Sequence, residues 1–268
     1  MNQQSRSPVF QVDAFITNKA FSGNPAAVCL LAEPQGEEWM QAIAAEINLS
    51  ETAFVCACDG GFELRWFTPT IEVNLCGHAT LAAAHVLWAQ PILASGTTAR
   101  FQTKSGCLQA KQSGEWIELD FPAQPVEAAT APEALLSALG VAQASVYRNG
   151  EDYLVMVDTE AEVRALMPDF SRLKTVNMRG VMVTAVADDS GSDFVSRFFA
   201  PAVGIDEDPV TGSAHCALYP FWTERLNKTE LTAFQASKRG GLLKLRGQGG
   251  RVMISGQART IISGELHV

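Results

Sequence analysis

The stretch Asp206-Glu-Asp-Pro-Val-Thr-Gly-Ser-Ala-His215 joins an acidic segment and a Gly-Ser turn to an apolar run that continues to Trp222. The first half of the chain contains a related stretch, Cys76-Gly-His-Ala-Thr80, which is followed by apolar residues as far as Trp88. In both places a turn that contains glycine leads into a segment of helical character. We therefore predict that each half of the chain ends a strand in a glycine turn at the N-terminus of a helix.

Further matches surround these two stretches. Arg65-Trp-Phe-Thr-Pro69 recurs as Arg197-Phe-Phe-Ala-Pro201, and Phe101-Gln102 recurs as Phe234-Gln235. The matched positions lie 132 to 135 residues apart, which is about half of the 268 residues. This spacing indicates an internal duplication and predicts two lobes of similar fold.

Composition limits the possible classes of protein. A chain of 268 residues that is 47% hydrophobic can bury a large core, as one big domain or as two lobes. The net charge of −9 and the lack of a dense Lys/Arg run argue against a nucleic-acid partner. Six cysteines without a spaced framework, and a polar segment at residues 1–7, predict reduced thiols and a cytoplasmic location. No apolar run reaches membrane-spanning length, so no membrane partner is expected.

Hydrophobic patterning predicts an α+β fold. Apolar residues recur at helical spacing over residues 37–47, and the segment from Ala79 to Trp88 is apolar on nearly all sides. A helix without a polar face is buried all round, so we expect strands wrapped about it. We place the N-terminal lobe at residues 1–122 and the C-terminal lobe at residues 123–268, with residues 122–132 as a linker. The last segment, residues 259–268, can pair with strands of either lobe.

Sequence signals for bound cofactors are missing. There is neither a Gly-x-Gly-x-x-Gly stretch after a strand nor a phosphate-binding loop, which argues against a dinucleotide or nucleotide cofactor. Cys56 and Cys58 have no second pair at zinc spacing. The four histidines (78, 85, 215 and 267) show no His-x-His or His-x-x-x-His pattern. We therefore expect no cofactor and no metal, which leaves acid–base chemistry.

The two glycine turns suit an anionic ligand. Gly77-His78 and Gly212-Ser213 each offer unpaired backbone N–H groups and a partial positive charge at a helix N-terminus. Such groups stabilise a substrate carboxylate or a developing enolate. If the two lobes face each other, both turns look into one cleft. The chemistry expected there is a cofactor-free proton transfer on a small carboxylated molecule.

Five motifs in order resemble the phenazine-biosynthesis PhzF family, which shares the diaminopimelate-epimerase fold. They are Ser22-Gly-Asn-Pro25, Ser50-Glu-Thr-Ala-Phe54, Phe67-Thr-Pro69, Cys76-Gly-His-Ala-Thr80 and Glu207-Asp-Pro-Val-Thr-Gly-Ser213. The resemblance covers essentially the whole chain. It implies two pseudo-symmetric lobes, each a barrel-like and mostly antiparallel sheet around a central helix. It also implies an active site between the lobes and a homodimer.

The resemblance also implies roles for individual residues. Glu51 matches the family's general acid/base, which takes a proton from carbon and returns it elsewhere on an unsaturated cyclic acid. The residues that match supporting catalytic positions are His78, Asp208 and Ser213. The candidate substrate-binding residues are Asn24, Ser50, Cys76, Gly77, Thr211 and Gly212. These matches predict a cofactor-independent isomerase with an unknown small carboxylated substrate.

Two alternatives stay open. The related epimerases and racemases use two opposed thiols, but aligning Gly77 with Gly212 places Cys76 opposite Thr211, so a two-thiol racemase is disfavoured. The chain could also be a small-ligand-binding protein without activity. An asymmetry favours the isomerase, because the second-half counterpart of the Glu51 strand, near residues 179–183, carries no acid.

Overall fold

The computed structural model describes residues 6–150, 152–188 and 191–268. Most of the polar segment predicted at residues 1–7 therefore lies outside the described residues. The helices are α1 (Glu37–Ile47), α2 (Gly77–Ala89), α3 (Glu133–Leu139), α4 (Glu160–Ala165), α5 (Phe170–Leu173) and α6 (Gly212–Leu226). No helix among the described residues is both long enough and apolar enough to cross a membrane.

The described residues also form a short 3-10 helix at Pro201–Val203 and eighteen strands. They are β1 (Arg6–Ala14), β2 (Asn24–Leu31), β3 (Glu51–Cys58), β4 (Gly61–Phe67), β5 (Glu72–Val73), β6 (Ala99–Thr103), β7 (Gly106–Ser113), β8 (Trp116–Pro122), β9 (Glu127–Ala128), β10 (Ser145–Asn149), β11 (Asp152–Met156), β12 (Gly180–Val186), β13 (Phe194–Ala200), β14 (Ile205–Asp208), β15 (Glu230–Gln235), β16 (Gly241–Gln248), β17 (Arg251–Gly256) and β18 (Ala258–His267).

Contacts between Cα atoms divide the chain into two compact units. The N-terminal unit consists of Met1–Asp120 and Ser255–Val268, and the C-terminal unit is Phe121–Ile254. Strand β18 returns to the N-terminal unit, where it pairs antiparallel with β1. The segment predicted as a linker, residues 122–132, contains the two-residue strand β9, which pairs with β10. A two-residue strand held by backbone hydrogen bonds leaves no side-chain periodicity to detect.

The N-terminal unit wraps its strands about α2. Strand β1 pairs antiparallel with β2, β2 runs parallel to β3, and β3 forms an antiparallel hairpin with β4. Strand β4 then runs parallel to β6, which continues antiparallel into β7 and β8. Helix α2 contacts β1, β2, β3 and β18, and nearly all of its residues are buried. The predicted all-apolar central helix is thus confirmed.

The C-terminal unit repeats this order of pairing. Strand β11 runs parallel to β12, β12 is antiparallel to β13, β13 is parallel to β15, and β15 is antiparallel to β16. The repeated Phe-Gln pair occupies corresponding strands, since β4 pairs with β6 at Phe101 and β13 pairs with β15 at Phe234. The mostly buried helix α6 takes the place of α2. Two units of like topology confirm the α+β fold predicted from the duplication.

Each unit carries the same ion pair before its glycine turn. In the N-terminal unit, Arg65 Nε and Nη2 each lie 2.7 Å from a carboxylate oxygen of Glu72. In the C-terminal unit, Arg197 makes the equivalent pair with Glu207 at 2.7 and 3.0 Å. A bidentate pair of this kind fixes orientation as well as distance. Both pairs therefore hold the short strand that leads into the glycine turn, β5 in one unit and β14 in the other.

Candidate active site

Glu51 is the first residue of β3, and its side chain points at the start of α2. Its carboxylate oxygen Oε2 lies 3.2 Å from Nε2 of His78, and the Glu51 side chain is only 12% exposed. The two residues are 27 positions apart in the sequence, so only the fold brings them together. The carboxylate predicted to be catalytic is thus largely withdrawn from water and faces an imidazole.

His78 occupies the first turn of α2, and two polar side chains lie close to its ring nitrogen Nδ1. Its Nδ1 lies 3.3 Å from the amide nitrogen Nδ2 of Asn24 and 3.5 Å from Sγ of Cys76, the residue that caps the helix. The roles depend on the charge of the ring: Nδ1 of a neutral His78 accepts from the amide N–H, whereas Nδ1–H of a protonated His78 donates and requires the amide oxygen in that place. Nε2, on the other side of the ring, faces Oε2 of Glu51 at 3.2 Å.

The charge on His78 is set by opposing effects. Burial of the ring favours the neutral form, while the adjacent Cys76 and Glu51 groups oppose this effect and hold the pKa of His78 well above its usual range. Burial also raises the pKa of the Cys76 thiol. Burial therefore favours the neutral form of the Cys76 thiol, whereas a negative charge beside the ring favours the protonated form of His78.

The contact between Glu51 and His78 is an ion pair without a hydrogen bond. Among the described residues, neither Oε2 of Glu51 nor Nε2 of His78 has a partner in hydrogen-bond geometry, although the two atoms are only 3.2 Å apart. The N–H direction misses the oxygen. Buried polar atoms are usually satisfied, and those that are not deserve a functional explanation. Both atoms are available to a substrate or another ligand.

Asn24, a candidate substrate-binding residue, is fully buried behind His78. It therefore acts on the site through the imidazole. The Ser-Gly-Asn-Pro motif that contains it begins β2 after a tight loop. Gly23 in this motif has φ +79°, and a Cβ built there would lie 2.4 Å from the carbonyl oxygen of Ala14. Only glycine lets the backbone pass this close and deliver Asn24 to His78.

We expect Gly23→Ala to lower the free energy of unfolding by about 1–3 kcal/mol, because the new methyl group meets backbone that cannot rotate away and the left-handed φ adds strain. Urea unfolding monitored by tryptophan fluorescence measures the loss. Gly264→Ala is the matched control, since a Cβ at Gly264 meets no atom within 4 Å. Equal effects of the two substitutions would contradict the expected clash.

A second polar cluster lies in the C-terminal unit at the start of α6. Thr211, the residue that caps this helix, donates its hydroxyl to Oδ2 of Asp208 at 2.6 Å. Gln235, which is fully buried, accepts the Thr211 N–H at 2.8 Å and donates to the Asp208 carbonyl oxygen at 2.7 Å. The glutamine therefore fixes the positions of two predicted site residues. Sequence reasoning noticed Gln235 only as a repeat of Gln102, whose side chain is exposed.

Ser213 follows in the first turn of α6 and has a partner that the sequence did not suggest. Its Oγ lies 3.4 Å from Nη2 of Arg179, a guanidinium that is also paired with the buried carboxylate of Asp152.

Gly180 occupies the position that corresponds to Glu51 of the N-terminal unit. The strand registers show this, because Val181 pairs with Phe199 as Thr52 pairs with Phe67. A Cβ at Gly180 would meet the ring of Phe198 at 2.4 Å. The repeated scaffold thus excludes a second acid at this position.

The remaining candidates sit at the ends of elements. Ser50 is half-buried directly before β3, Gly77 is the half-buried first residue of α2, and Gly212 is the buried first residue of α6. The structure therefore gathers the predicted residues in two sets. One set, in the N-terminal unit, brings Glu51, His78, Cys76 and Asn24 into contact. The other, in the C-terminal unit, consists of Asp208, Thr211, Gly212 and Ser213.

Comparison with known proteins identifies the family. The sequence model of the phenazine biosynthesis-like protein family matches residues 12–264. A protein of Halalkalibacterium halodurans named an uncharacterized isomerase is 52% identical over 261 residues, which cover 97% of this chain and 98% of that protein. The crystal structure of a PhzF-family phenazine biosynthesis protein from Enterococcus faecalis superposes with a TM-score of 0.94 at 43% identity. The superposition covers 98% of this chain and 100% of the Enterococcus faecalis chain.

A more distant likeness concerns the fold alone. A hydroxyproline epimerase from Agrobacterium vitis matches with a TM-score of 0.65 at 10% identity, covering 99% of this chain and 94% of that chain. This agrees with the epimerase-like fold predicted from the sequence. With a family model that spans nearly the whole chain, and relatives above half identity that are named isomerases, the chain belongs to the PhzF-like isomerase family.

Proposed function

We propose that this protein is a cofactor-independent isomerase that moves a proton between carbon atoms of a small carboxylated metabolite, with Glu51 as general acid/base. The observation that carries this proposal is the Glu51 carboxylate itself. It is largely buried, and its oxygen Oε2 lies 3.2 Å from His78 Nε2 without a hydrogen-bond partner among the described residues. A carboxylate oxygen with little hydration and no competing hydrogen bond is suited to accept a proton from carbon.

The reaction balances as two proton transfers through one residue. The Glu51 carboxylate accepts a proton from a C–H bond, and the electron pair of that bond moves into the conjugated system of the substrate. The resulting carboxylic acid of Glu51 then gives the proton to a different carbon, and the double bond shifts. The backbone N–H groups at the start of α2, next to Gly77, can stabilise negative charge that develops on a substrate carboxylate.

His78 supports both steps from its fixed position. Its raised pKa keeps the imidazole charged beside the Glu51 anion before the reaction starts. When Glu51 takes up the proton, the imidazolium remains beside the reacting carbons and stabilises the negative charge that has passed to the substrate. The Asn24 amide lies 3.3 Å from Nδ1 and orients the ring, accepting from the protonated Nδ1 through its oxygen once the amide is flipped. We infer that the pair Glu51–His78 acts as one unit.

The two-thiol epimerase alternative has weaker support. Burial raises the pKa of Cys76, which lowers the thiolate fraction that a thiol base needs. Its counterpart in the C-terminal unit is Thr211, and the Thr211 hydroxyl is engaged with Asp208. A racemase that removes a proton from either face of one carbon requires two bases. The geometry therefore favours transfer by the single acid Glu51.

Solvent-deuterium incorporation tests the function. The enzyme is incubated in D₂O with a panel of cyclic diene acids, acyclic unsaturated acids and amino acids of one configuration, and the products are followed by NMR and mass spectrometry. We expect deuterium at a new carbon of an unsaturated acid, together with a shifted double bond. Deuterium confined to the α-carbon, with loss of optical activity and sensitivity to Cys76→Ser, would instead identify an epimerase. No incorporation into any acid that binds would overturn the proposal.

A further inference from the structure

We propose that Glu51, Cys76 and His78 form a binding site for a single zinc-like divalent cation, and that the cation holds the enzyme inactive by occupying the carboxylate. One donor atom from each residue can be chosen such that all three lie within 4.8 Å of one another. The binding site is independent of the proposed function. Only the inhibition that follows from it rests on Glu51 being the general acid/base.

The spacing of the donor atoms fits tetrahedral coordination. Zinc binds histidine nitrogen and carboxylate oxygen at about 2.0–2.2 Å and thiolate sulfur at about 2.3 Å, so a nitrogen and an oxygen on the same ion are about 3.3 Å apart. Nε2 of His78 and Oε2 of Glu51 already stand 3.2 Å apart. Sγ of Cys76 lies 3.5 Å from Nδ1 of the same ring, so rotation of the Cys76 side chain must bring it to the ion on the Nε2 side.

The state of the donor atoms also points to a ligand. Oε2 of Glu51 and Nε2 of His78 are buried and, among the described side chains, neither takes part in a hydrogen bond. Their mutual contact misses hydrogen-bond geometry, although the distance would permit one. A cation between the two atoms bonds to both and removes the cost of leaving them unsatisfied.

The kinds of donor select the metal. One thiol, one imidazole and one carboxylate make a mixed set that suits zinc, cobalt and similar ions. Magnesium and calcium require six or more oxygen ligands, which this cluster does not supply. With three protein ligands, the fourth position of a tetrahedral ion is left for water or for an oxygen of a bound acid.

The surroundings hold the ligands in place. Cys76 and His78 belong to the cap and first turn of the buried helix α2, and Glu51 begins β3. When Nε2 binds a metal, the imidazole proton moves to Nδ1, where the Asn24 amide lies 3.3 Å away. A flip of that amide turns its oxygen towards Nδ1 and provides the outer hydrogen bond that metal-binding histidines usually make. Asn24 is thus a positioning residue for the metal as well as for the imidazole.

Cobalt is the probe for the binding test, because a tetrahedral Co²⁺–thiolate complex absorbs in both the near ultraviolet and the visible. The full chain is used in reduced, metal-free form with Cys58→Ser and Cys107→Ser, which remove the two exposed thiols. We expect one equivalent of Co²⁺ to produce both the sulfur-to-cobalt charge-transfer band and tetrahedral visible bands. One equivalent of Zn²⁺ should abolish them, and Mg²⁺ should leave them unchanged.

Three substitutions identify the ligands. Cys76→Ser should remove the charge-transfer band, and Glu51→Gln should weaken cobalt binding strongly. Asn24→Ala should weaken it by about 10–100-fold, the usual effect of losing an outer partner. Glu46→Gln, at an exposed position of α1, is the matched control and should bind as the parent does. Circular dichroism establishes whether each variant folds. If Cys76→Ser does not fold, cobalt binding by Glu51→Gln decides whether the cluster is the metal site.

The spectra decide the proposal without a substrate. No charge-transfer band in the Cys58/Cys107 background, or a band that survives both Cys76→Ser and Glu51→Gln, would overturn the metal site. Inhibition is read separately as loss of deuterium incorporation at one equivalent of Zn²⁺ and its recovery with a chelator. Binding that leaves incorporation intact would overturn the inhibitory role. A protein with no incorporation under any condition contradicts the proposed function but leaves the spectral result standing.

Discussion

Glu51→Gln should lower the rate of deuterium incorporation into the substrate by about 10²–10⁴-fold, the range found when a general acid/base is removed. Glutamine keeps the shape of glutamate but cannot accept a proton from carbon. Folding should survive, because Oε2 of Glu51 makes no hydrogen bond among the described residues and the side chain is partly exposed. We expect the free energy of unfolding to change by less than about 1 kcal/mol.

The control for this substitution is Glu46→Gln on the exposed face of α1, which should have the parental rate. Mass spectrometry of the substrate after incubation in D₂O gives the rate, and urea unfolding gives the stability of each variant. Substrate binding by Glu51→Gln, measured by calorimetry, separates a loss of chemistry from a loss of affinity. A Glu51→Gln variant that incorporates deuterium at the parental rate would remove Glu51 from the mechanism.

Acid should destabilise the protein through His215. This histidine lies in α6 with no exposed surface, its Nδ1 donates to the Thr211 carbonyl oxygen at 2.7 Å, and its ring stacks on Phe194. Its other nitrogen, Nε2, has no hydrogen-bond partner among the described residues. Burial lowers the pKa of His215 from 6.5 to about 4, and the bond to Thr211 opposes this only in part. Protonation of His215 therefore places a positive charge in the core, where no described acceptor is available to the new N–H group at Nε2.

The sign follows from the depressed folded-state pKa. At pH values between about 6.5 and 4 the unfolded chain binds the proton and the folded chain does not, so stability falls as pH falls. The contribution of His215 is complete above pH 6.5 and is lost by about pH 4. The loss amounts to about 3 kcal/mol, with a slope of at most about 1.4 kcal/mol per pH unit.

His215→Thr is the informative variant, because threonine already occupies the corresponding position of α2 and makes the same hydrogen bond there. Thr80, the counterpart in α2, donates its hydroxyl to the Cys76 carbonyl oxygen at 2.6 Å, as His215 does to Thr211. The threonine variant keeps the donor and loses the ionisable ring. Urea unfolding between pH 7 and 4 should show a shallower slope for it than for the wild type.

The slope, and not the absolute stability, is the quantity to compare, because the smaller side chain also leaves a cavity. His267→Gln, at an exposed position of β18, should keep the wild-type slope. The lowered pKa of His85 acts in the same direction in every variant and cancels in the difference. Parallel curves for His215→Thr and the wild type would show that His215 does not titrate as its burial demands.

Local patterns were sufficient for the long elements. The helical spacing over residues 37–47 corresponds to α1 at Glu37–Ile47, and the all-apolar segment corresponds to the buried α2. Both helices could be predicted because the spacing of apolar residues along a segment shows which faces of the helix are buried, and that spacing is local. The short helices α3 and α5 were missed, because seven and four residues hold too little periodicity to distinguish them from loop.

The residues of the candidate site also fall into those that the sequence could nominate and those that only the fold reveals. Glu51, His78 and Asp208 could be nominated because each belongs to a motif whose order along the chain is recognisable. The partners of these residues could not be nominated. Gln235 reaches Thr211 across 24 residues, and Arg179 reaches Ser213 across 34. The expectation of no metal rested on the lack of a second ligand pair beside Cys56 and Cys58. The cluster of Glu51 with Cys76 and His78 spans two separate elements.

By itself, the sequence determined the duplicated α+β scaffold, the two glycine turns at helix N-termini and the presence of one unduplicated acid, because these depend on residue types at local spacing. Only the tertiary structure decided that this acid faces His78 without a hydrogen bond, and that Asn24 acts from behind the imidazole. The physical reason is that a contact energy depends on distances between side chains from different strands and helices, and packing of the whole unit sets those distances.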